Sequence, residues 1–204
     1  IPQSDELDIA ASNISSYQVG GDSFDILEAP DDRLLFAIGD VTGKGMPAEL
    51  LMANLHAMLH VLLPVDISLG EATGQINEII YGNTPSYKFI TFFWGIFNPR
   101  NYQFQFVNAG HNPPALLRAE KDEFEELSEG GLILGAMSTM TPYKEQTVAL
   151  SQGDLLVFYT DGVTEAKNKS ETEEYGEERL FKCIKHNRDL SSNNIQEAII
   201  EDVK

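Results

Sequence analysis

Apolar residues along the chain fall into short dense runs separated by Gly, Pro, Asn and Asp, and the spacing changes from run to run. "ELDIAASNI" (6–14) and "SFDILEA" (23–29) read as strands, and "RLLFAIGD" (33–40) as a strand dense enough in apolar residues to be buried. Pro47 stands where a first helical turn tolerates it, and "AELLMANLHAMLHVLL" (48–63) is an apolar-rich helix stopped by Pro64. "SLGEATGQINEIIYG" (68–82) is a second helix, with Ser68 as its cap and Glu71 three residues on. "FITFFWGIFN" (89–98) and "YQFQFVNAG" (102–110) form a hairpin around Asn98-Pro99-Arg100-Asn101. "PALLRA" (114–119) pairs with "FEELSE" (124–129), and "EQTVALS" (145–151) leads into a last strand, "DLLVFYTDG" (154–162). The rest reads as two helices, the second opened by the Ser191-Ser192 region. Strands, two helices, several strands and then helices make an α+β domain with mostly antiparallel sheets rather than an alternating parallel fold.

Composition narrows the use of such a domain. Its 204 residues, 42% hydrophobic, suffice for one large core. Lys plus Arg number 14 against 32 Asp plus Glu, a net charge of −18 that repels nucleic acid and anionic membrane. No apolar run approaches the ~20 residues of a membrane span, and "IPQSDELD" lacks the basic-then-apolar pattern of a signal peptide. The single cysteine, Cys183, excludes an internal disulfide and fits a reducing, cytoplasmic setting.

Three strand ends or turns deliver an Asp beside glycine: Gly20-Gly21-Asp22, Gly39-Asp40 and Asp161-Gly162. "FAIGDVTGKGMPAEL" (36–50) has the strand–glycine turn–helix outline of a phosphate-binding loop, but fails on spacing. Gly39 and Gly43 are separated by three residues rather than four, and Lys44 is followed by Gly45 instead of a hydroxyl residue. An anion, Asp40, stands where a phosphate cradle needs donors, and suits a hard cation better. Asp40 and Asp161 each follow a very apolar run and need compensation at the core's edge. Three converging carboxylates would hold one or two Mg²⁺ or Mn²⁺ ions and serve phosphoryl hydrolysis.

"VGGDSFD", "IGDVTGKGMPAELLMA", "FVNAGHNPPALL", "GLILGA", "LSQGDLLVFYTDGVTEAKN" and "YGEERL" occur here in the order and spacing of the SpoIIE/RsbU-like phosphatases. The chain resembles these bacterial members of the metal-dependent 2C-type (PPM) serine/threonine protein phosphatases from about residue 5 to its end. The resemblance implies two sheets in a sandwich flanked by helices. It implies two Mn²⁺ or Mg²⁺ ions and a water attacking phosphoserine or phosphothreonine, without a covalent phosphoenzyme. By motif position Asp40 would bridge both ions, Val41 would lend its backbone carbonyl, Asp22 would serve one ion and Asp161 the other. The implied substrate is a phosphorylated anti-sigma-factor antagonist, and an upstream sensor domain would control activity through the first long helix. That helix is apolar on most faces, so a homodimer is another use for it.

The chain departs from the family at two places. Ser23 stands where the family usually has an aromatic residue. The final Asp-Asp motif that opens the family's last strand does not occur before Lys204, and Glu201 and Asp202 come too early for it. The expectation is a single domain, 1–204, cut from a longer protein, with its last strand missing and its second metal site incomplete. These departures keep an alternative open: a degenerate, non-catalytic phosphatase fold that binds a signalling partner.

Of the other chemistry-bearing residues, Lys44 and His111 are candidates for a loop that meets substrate. A loop-bonding role for His111 is equally consistent with the sequence, and Asn108 and Asn112 are expected to tie that loop to backbone. His56 and His60 have the i, i+4 spacing of a zinc pair but lack the metalloprotease Glu, and packing is the simpler reading. Arg179 is expected to pair with neighbouring acids. Cys183 has no adjacent histidine or basic loop and reads as a packed helix residue. Asp161 as the nucleophile of an aspartyl-phosphate hydrolase is disfavoured, because Val163 stands where that chemistry needs an acid.

Overall fold

A computed structural model describes residues 1–2, 4–14, 21–43, 45–65, 67–85, 88–138, 142–167 and 172–204. In chain order the elements are β1 (Ser23–Ala29), β2 (Arg33–Val41), α1 (Met46–Leu62), α2 (Leu69–Asn83), β3 (Ile90–Asn98), β4 (Gln103–Ala109), β5 (Ala115–Leu117), β6 (Phe124–Glu126), β7 (Gly130–Gly131), β8 (Gln146–Ala149), β9 (Leu155–Val157), α3 (Asp161–Thr164), α4 (Gly176–His186) and α5 (Ser192–Val203). They divide into two compact units. The larger comprises Asn13–Pro113 and Leu127–Leu150, the smaller Ile1–Ser12, Pro114–Glu126 and Ser151–Lys204.

The larger unit is built on a six-stranded sheet in the order β1-β2-β3-β4-β7, with β8 also pairing β4. All pairings are antiparallel except the short β4–β7 ladder. The central strands are rich in β-branched and aromatic residues, and they bury them: Phe92, Phe93, Phe97, Phe104 and Phe106 are all at most 2% exposed. Phe93 stacks on Phe106 with ring centroids 5.3 Å apart. Helix α1 lays Ala48, Leu51, Met52, Leu55 and Leu59 into a core that also holds Val41, Ile76, Ile80 and Trp94. Pro47 lies in its first turn, as the sequence predicts.

Helix α2 starts where Ser68 and Glu71 predict it. The Ser68 hydroxyl accepts from the Glu71 N–H and the Glu71 carboxylate accepts from the Ser68 N–H, a complete capping box. Two buried polar side chains then fix α2 against its surroundings. Thr73 donates to the Leu69 carbonyl (2.7 Å) and accepts from the Trp94 indole N–H (2.8 Å). Asn77 accepts from the Gly135 N–H (2.9 Å) and donates to the Met137 carbonyl (3.0 Å).

The smaller unit has a three-stranded antiparallel sheet, β6-β5-β9, and helices α3 to α5. Its core consists of Ala115, Leu117, Tyr159, Tyr175, Leu180 and Ile184, with Phe181 stacked on Phe124 at 4.4 Å. Polar ties hold the rest. Asp154 accepts from the Arg118 guanidinium (2.9 Å) and from the Ala119 (2.8 Å) and Ser151 (3.0 Å) N–H groups. Arg118 also bonds Glu125 at 2.8 Å. The Tyr159 hydroxyl donates to Glu177 (3.0 Å) and the Tyr175 hydroxyl to Asp202 (2.6 Å).

Two sequence expectations fail in this unit. No strand forms over 6–14; Asp8 instead caps α5, its carboxylate accepting from the Ser192 N–H (2.8 Å) and hydroxyl (2.7 Å). The strand expected over 154–162 shrinks to Leu155–Val157. Its partner β5 offers only Ala115, Leu116 and Leu117, and Pro114 before it has no N–H to extend the ladder.

Candidate metal centre

Asp40 is placed by β2, whose two neighbours hold it from both sides. Gly39 pairs with Ser23 of β1, and Asp40 with Thr91 of β3. Asp22 precedes β1, so the β1–β2 hairpin returns it to the end of β2 that carries Asp40. Carboxylate oxygens of Asp22 and Asp40 lie within 4.8 Å of each other. The approach depends on Gly21. A Cβ there would stand 2.7 Å from both Asp40 Oδ1 and the Val41 carbonyl oxygen, closer than any side chain is tolerated. Three oxygen donors therefore crowd one corner of the larger unit: two carboxylates and a backbone carbonyl. Like charges this close repel, and a hard divalent cation resolves the repulsion with the ligand type it prefers. The residues present fit such an ion.

The turn after Asp40 is clamped rather than loose. The Thr42 N–H donates to the Phe89 carbonyl (3.0 Å), and the Phe89 N–H donates to the Thr42 hydroxyl (3.0 Å). The Lys88 ammonium donates to the Thr42 carbonyl at 2.6 Å. Gly43 has φ +94°, and a Cβ on it would strike the Lys88 Nζ. Lys88 is the residue that the sequence reading missed. The signal for it was the antiparallel pairing itself: with Asp40 opposite Thr91, the residues just before β3 lie beside the turn that follows Asp40. Lys44, the cation expected in that turn, lies outside the described residues.

His111 is buried, at 4% exposure, with its Nδ1 3.0 Å from the Thr91 hydroxyl. Thr91 is the partner of Asp40 across the sheet, so His111 braces the strand position next to that carboxylate. The His111 loop is tied down by Asn108, which accepts from the His111 N–H (2.8 Å) and donates to the His111 (3.1 Å) and Leu127 (3.3 Å) carbonyls. That is the side-chain-to-backbone role expected of Asn108.

In the smaller unit, Asp161 is the first residue of α3 and follows the Thr160 cap. Its backbone carbonyl accepts from the Glu165 N–H at 2.7 Å. Thus Asp161 leads a helical turn instead of ending a long strand. Asp202, bonded to Tyr175, takes part in packing α5. The Arg179 guanidinium lies over the Tyr175 ring, 4.7 Å from its centre. Burial pushes the Cys183 thiol up, the opposite of what a thiolate nucleophile needs.

Comparison with known proteins gives these features a family. The family model described as Stage II sporulation protein E (SpoIIE) matches residues 30–204. The phosphoserine phosphatase RsbU of Bacillus subtilis is 31% identical over 170 residues, which cover 83% of this chain and 50% of RsbU. The chain thus spans half the length of that relative. Among solved structures, the PP2C phosphatase domain of the Bacillus subtilis cell-fate determinant SpoIIE, with a fragment of its regulatory domain, superposes with a TM-score of 0.73 at 22% identity. The match covers 91% of this chain and 55% of that one. RsbX in complex with magnesium superposes with a TM-score of 0.67 at 18% identity, covering 93% and 83%. The α+β arrangement of antiparallel sheets and helices is the one these neighbours share, and the chain belongs to the SpoIIE family.

Proposed function

We propose that the protein is a metal-dependent serine/threonine protein phosphatase, with Asp22, Asp40 and Asp161 as its metal-binding carboxylates and the Val41 carbonyl as a further oxygen ligand. The observation that carries this reading is the Asp22–Asp40 pair, with oxygens within 4.8 Å beside a glycine that no side chain can replace. RsbU is a phosphoserine phosphatase, and RsbX has been solved with magnesium; both support the assignment. Divalent ions, Mn²⁺ or Mg²⁺, would supply a hydrolytic nucleophile at neutral pH and positive charge against the phosphoryl oxygens. The chain's own contribution is placement. β2 holds Asp40 between two hydrogen-bonded neighbours, Gly21 lets Asp22 close on it, and Lys88 with Thr42 freezes the following turn. By motif position, Asp161 would complete the set. Ser23, the departure beside Asp22, removes none of these oxygens, which favours catalysis over a degenerate binding fold.

The substrate that family membership suggests is a phosphoserine or phosphothreonine on an anti-sigma-factor antagonist. The exposed apolar residues Leu50 and Val61 of α1 offer a surface through which an upstream sensor would act. Hydrolysis of p-nitrophenyl phosphate with Mn²⁺ and with chelator, beside Asp40→Asn, tests the activity. Turnover that needs Mn²⁺ and disappears in the variant is expected; chelator-resistant turnover, or an active Asp40→Asn protein of unchanged fold, would refute it.

A further inference from the structure

Leu69, Ala72, Ile76 and Ile80 of α2 belong to the apolar core of the larger unit, and Asn77 lies among them, 0% exposed. An amide buried in a helix interior gives up hydration and helix propensity, so both of its polar atoms need partners. Asn77 finds them outside α2, on the loop after β7. Its Oδ1 accepts from the Gly135 N–H (2.9 Å), and its Nδ2 donates to the Met137 carbonyl (3.0 Å). Gly135 has φ +83°, and a Cβ there would stand 2.8 Å from Ile80 Cγ2 and 3.2 Å from the Lys88 carbonyl oxygen. The loop is therefore pressed between α2 and the chain that enters β3.

From that loop, hydrogen bonds run on to the turn behind Asp40. Leu134 and Ile90 exchange both backbone bonds, each 2.9 Å. Beside Ile90, the Phe89 carbonyl accepts from the Thr42 N–H (3.0 Å) and hydroxyl (3.1 Å), and the Phe89 N–H donates to that hydroxyl (3.0 Å). The Lys88 ammonium holds the Thr42 carbonyl at 2.6 Å. Lys88, Phe89 and Ile90 thus meet the loop gripped by Asn77 on one side and the turn after Asp40 on the other. All of these residues belong to the larger unit.

We propose that Asn77 is a positioning residue of the Asp22–Asp40 centre: by fixing Gly135 and Met137 it holds Lys88–Ile90 against the turn that follows Asp40. The inference rests on the metal-dependent reading of that centre. Asn77 acts through Lys88, Phe89 and Thr42, so its loss should weaken the hold on the metal and leave recognition of the phosphate ester unchanged. A buried polar network of this kind holds one arrangement when all its bonds are made and loses it when one member is removed. The path is contiguous bond by bond, and a measured coupling between its two ends is what shows that it transmits.

The test sets Asn77→Ala beside Ser68→Ala, which loosens α2 at its cap and leaves the loop bonds in place. Hydrogen exchange is read in the metal-free protein at Thr42 and Phe89, each relative to the Trp94 amide of the same protein. These two amides are expected to exchange about tenfold faster in Asn77→Ala and at the wild-type ratio in Ser68→Ala. The Mn²⁺ concentration for half-maximal p-nitrophenyl phosphate turnover should rise about tenfold in Asn77→Ala, with KM for the ester within about twofold of wild type. Adding Asn77→Ala to Lys88→Ala should raise that concentration by no more than about twofold further, because both act on one turn. Should Asn77→Ala not fold, Asn77→Ser, too short to span both bonds, carries the same comparison. Thr42 and Phe89 amides that keep the wild-type ratio to Trp94, an unchanged Mn²⁺ requirement, or effects of Asn77→Ala and Lys88→Ala that multiply would each overturn the proposal. A wild-type chain without Mn²⁺-dependent turnover would refute the functional reading instead, and exchange at Thr42 and Phe89 would still decide whether Asn77 holds the turn.

Discussion

The two units deliver their acidic residues by different means. In the larger, Asp40 sits in a nine-residue strand bonded on both sides, over a core of phenylalanines and aliphatic residues. In the smaller, Asp161 begins a four-residue helix after a three-residue strand, and charge and hydroxyl pairs supplement a smaller apolar core. Arg118, Asp154, Glu125, Tyr159 and Tyr175 do there what stacked rings do in the larger unit. Apolar burial neither titrates nor is screened by salt, while paired charges titrate and are screened. The comparison therefore implies that the larger unit is held chiefly by apolar packing and that the smaller is the one solution conditions loosen more easily.

The largest effect expected is on the apolar side. Phe106→Ala removes a fully buried ring that stacks on Phe93 and Phe104, and should cost about 4 kcal/mol in denaturant unfolding. Asp154→Ala comes next. It removes one of the two carboxylates that hold Arg118 and the acceptor of two N–H groups, for a loss of about 2 kcal/mol that concentrates in hydrogen exchange of the smaller unit. If both variants lowered protection evenly across the chain, the contrast between the units would collapse. Lys88→Ala should lower Mn²⁺-dependent turnover about tenfold, near 1.4 kcal/mol, by releasing the turn behind Asp40. Unaltered turnover would show that the clamp is dispensable. Ser68→Ala, which breaks the α2 capping box, should cost about 1 kcal/mol of stability and leave turnover alone.

The smallest effect is acid sensitivity. The Ser192 hydrogen bonds hold the Asp8 carboxyl below its ordinary value, and the Arg118 guanidinium does the same for Glu125. A carboxyl with a depressed folded-state pKa contributes stability that is complete above its unfolded value. That stability fades as pH falls through the folded one, here below about pH 4. Both groups belong to the smaller unit, so its amides should lose protection at a higher pH than those around Trp94 in the larger. Simultaneous loss would sharpen the opposite view, that the two units unfold as one.

The same contrast explains what the sequence revealed. β1 to β4, the turn at Asn98–Asn101, Pro47 in α1 and the Ser68–Glu71 box were all legible, because a buried sheet and a capped helix write their periods and end signals locally. Asp22 and Asp40 were legible as candidates for the same reason: each abuts a glycine at the edge of a readable strand. The strand over 6–14 was misread because its apolar residues mimic one, while Asp8 takes its role from Ser192, far away along the chain. Asp161 is legible as a candidate, but its helical setting is hidden, since the length of β9 is set by its partner β5 and not by its own apolar run. Lys88 escaped because its role follows from strand register.

The central claim is that Asp22, Asp40 and Asp161 are ligands of the proposed metal centre. The most direct measurement is Mn²⁺ affinity by calorimetry for wild type, Asp40→Asn, Asp161→Asn and the double variant. The account predicts that each single substitution weakens Mn²⁺ binding about tenfold or more, and that the double variant loses less than the sum of the two, because the residues act on the same ions. An Asp161→Asn protein that binds Mn²⁺ as tightly as wild type would contradict it.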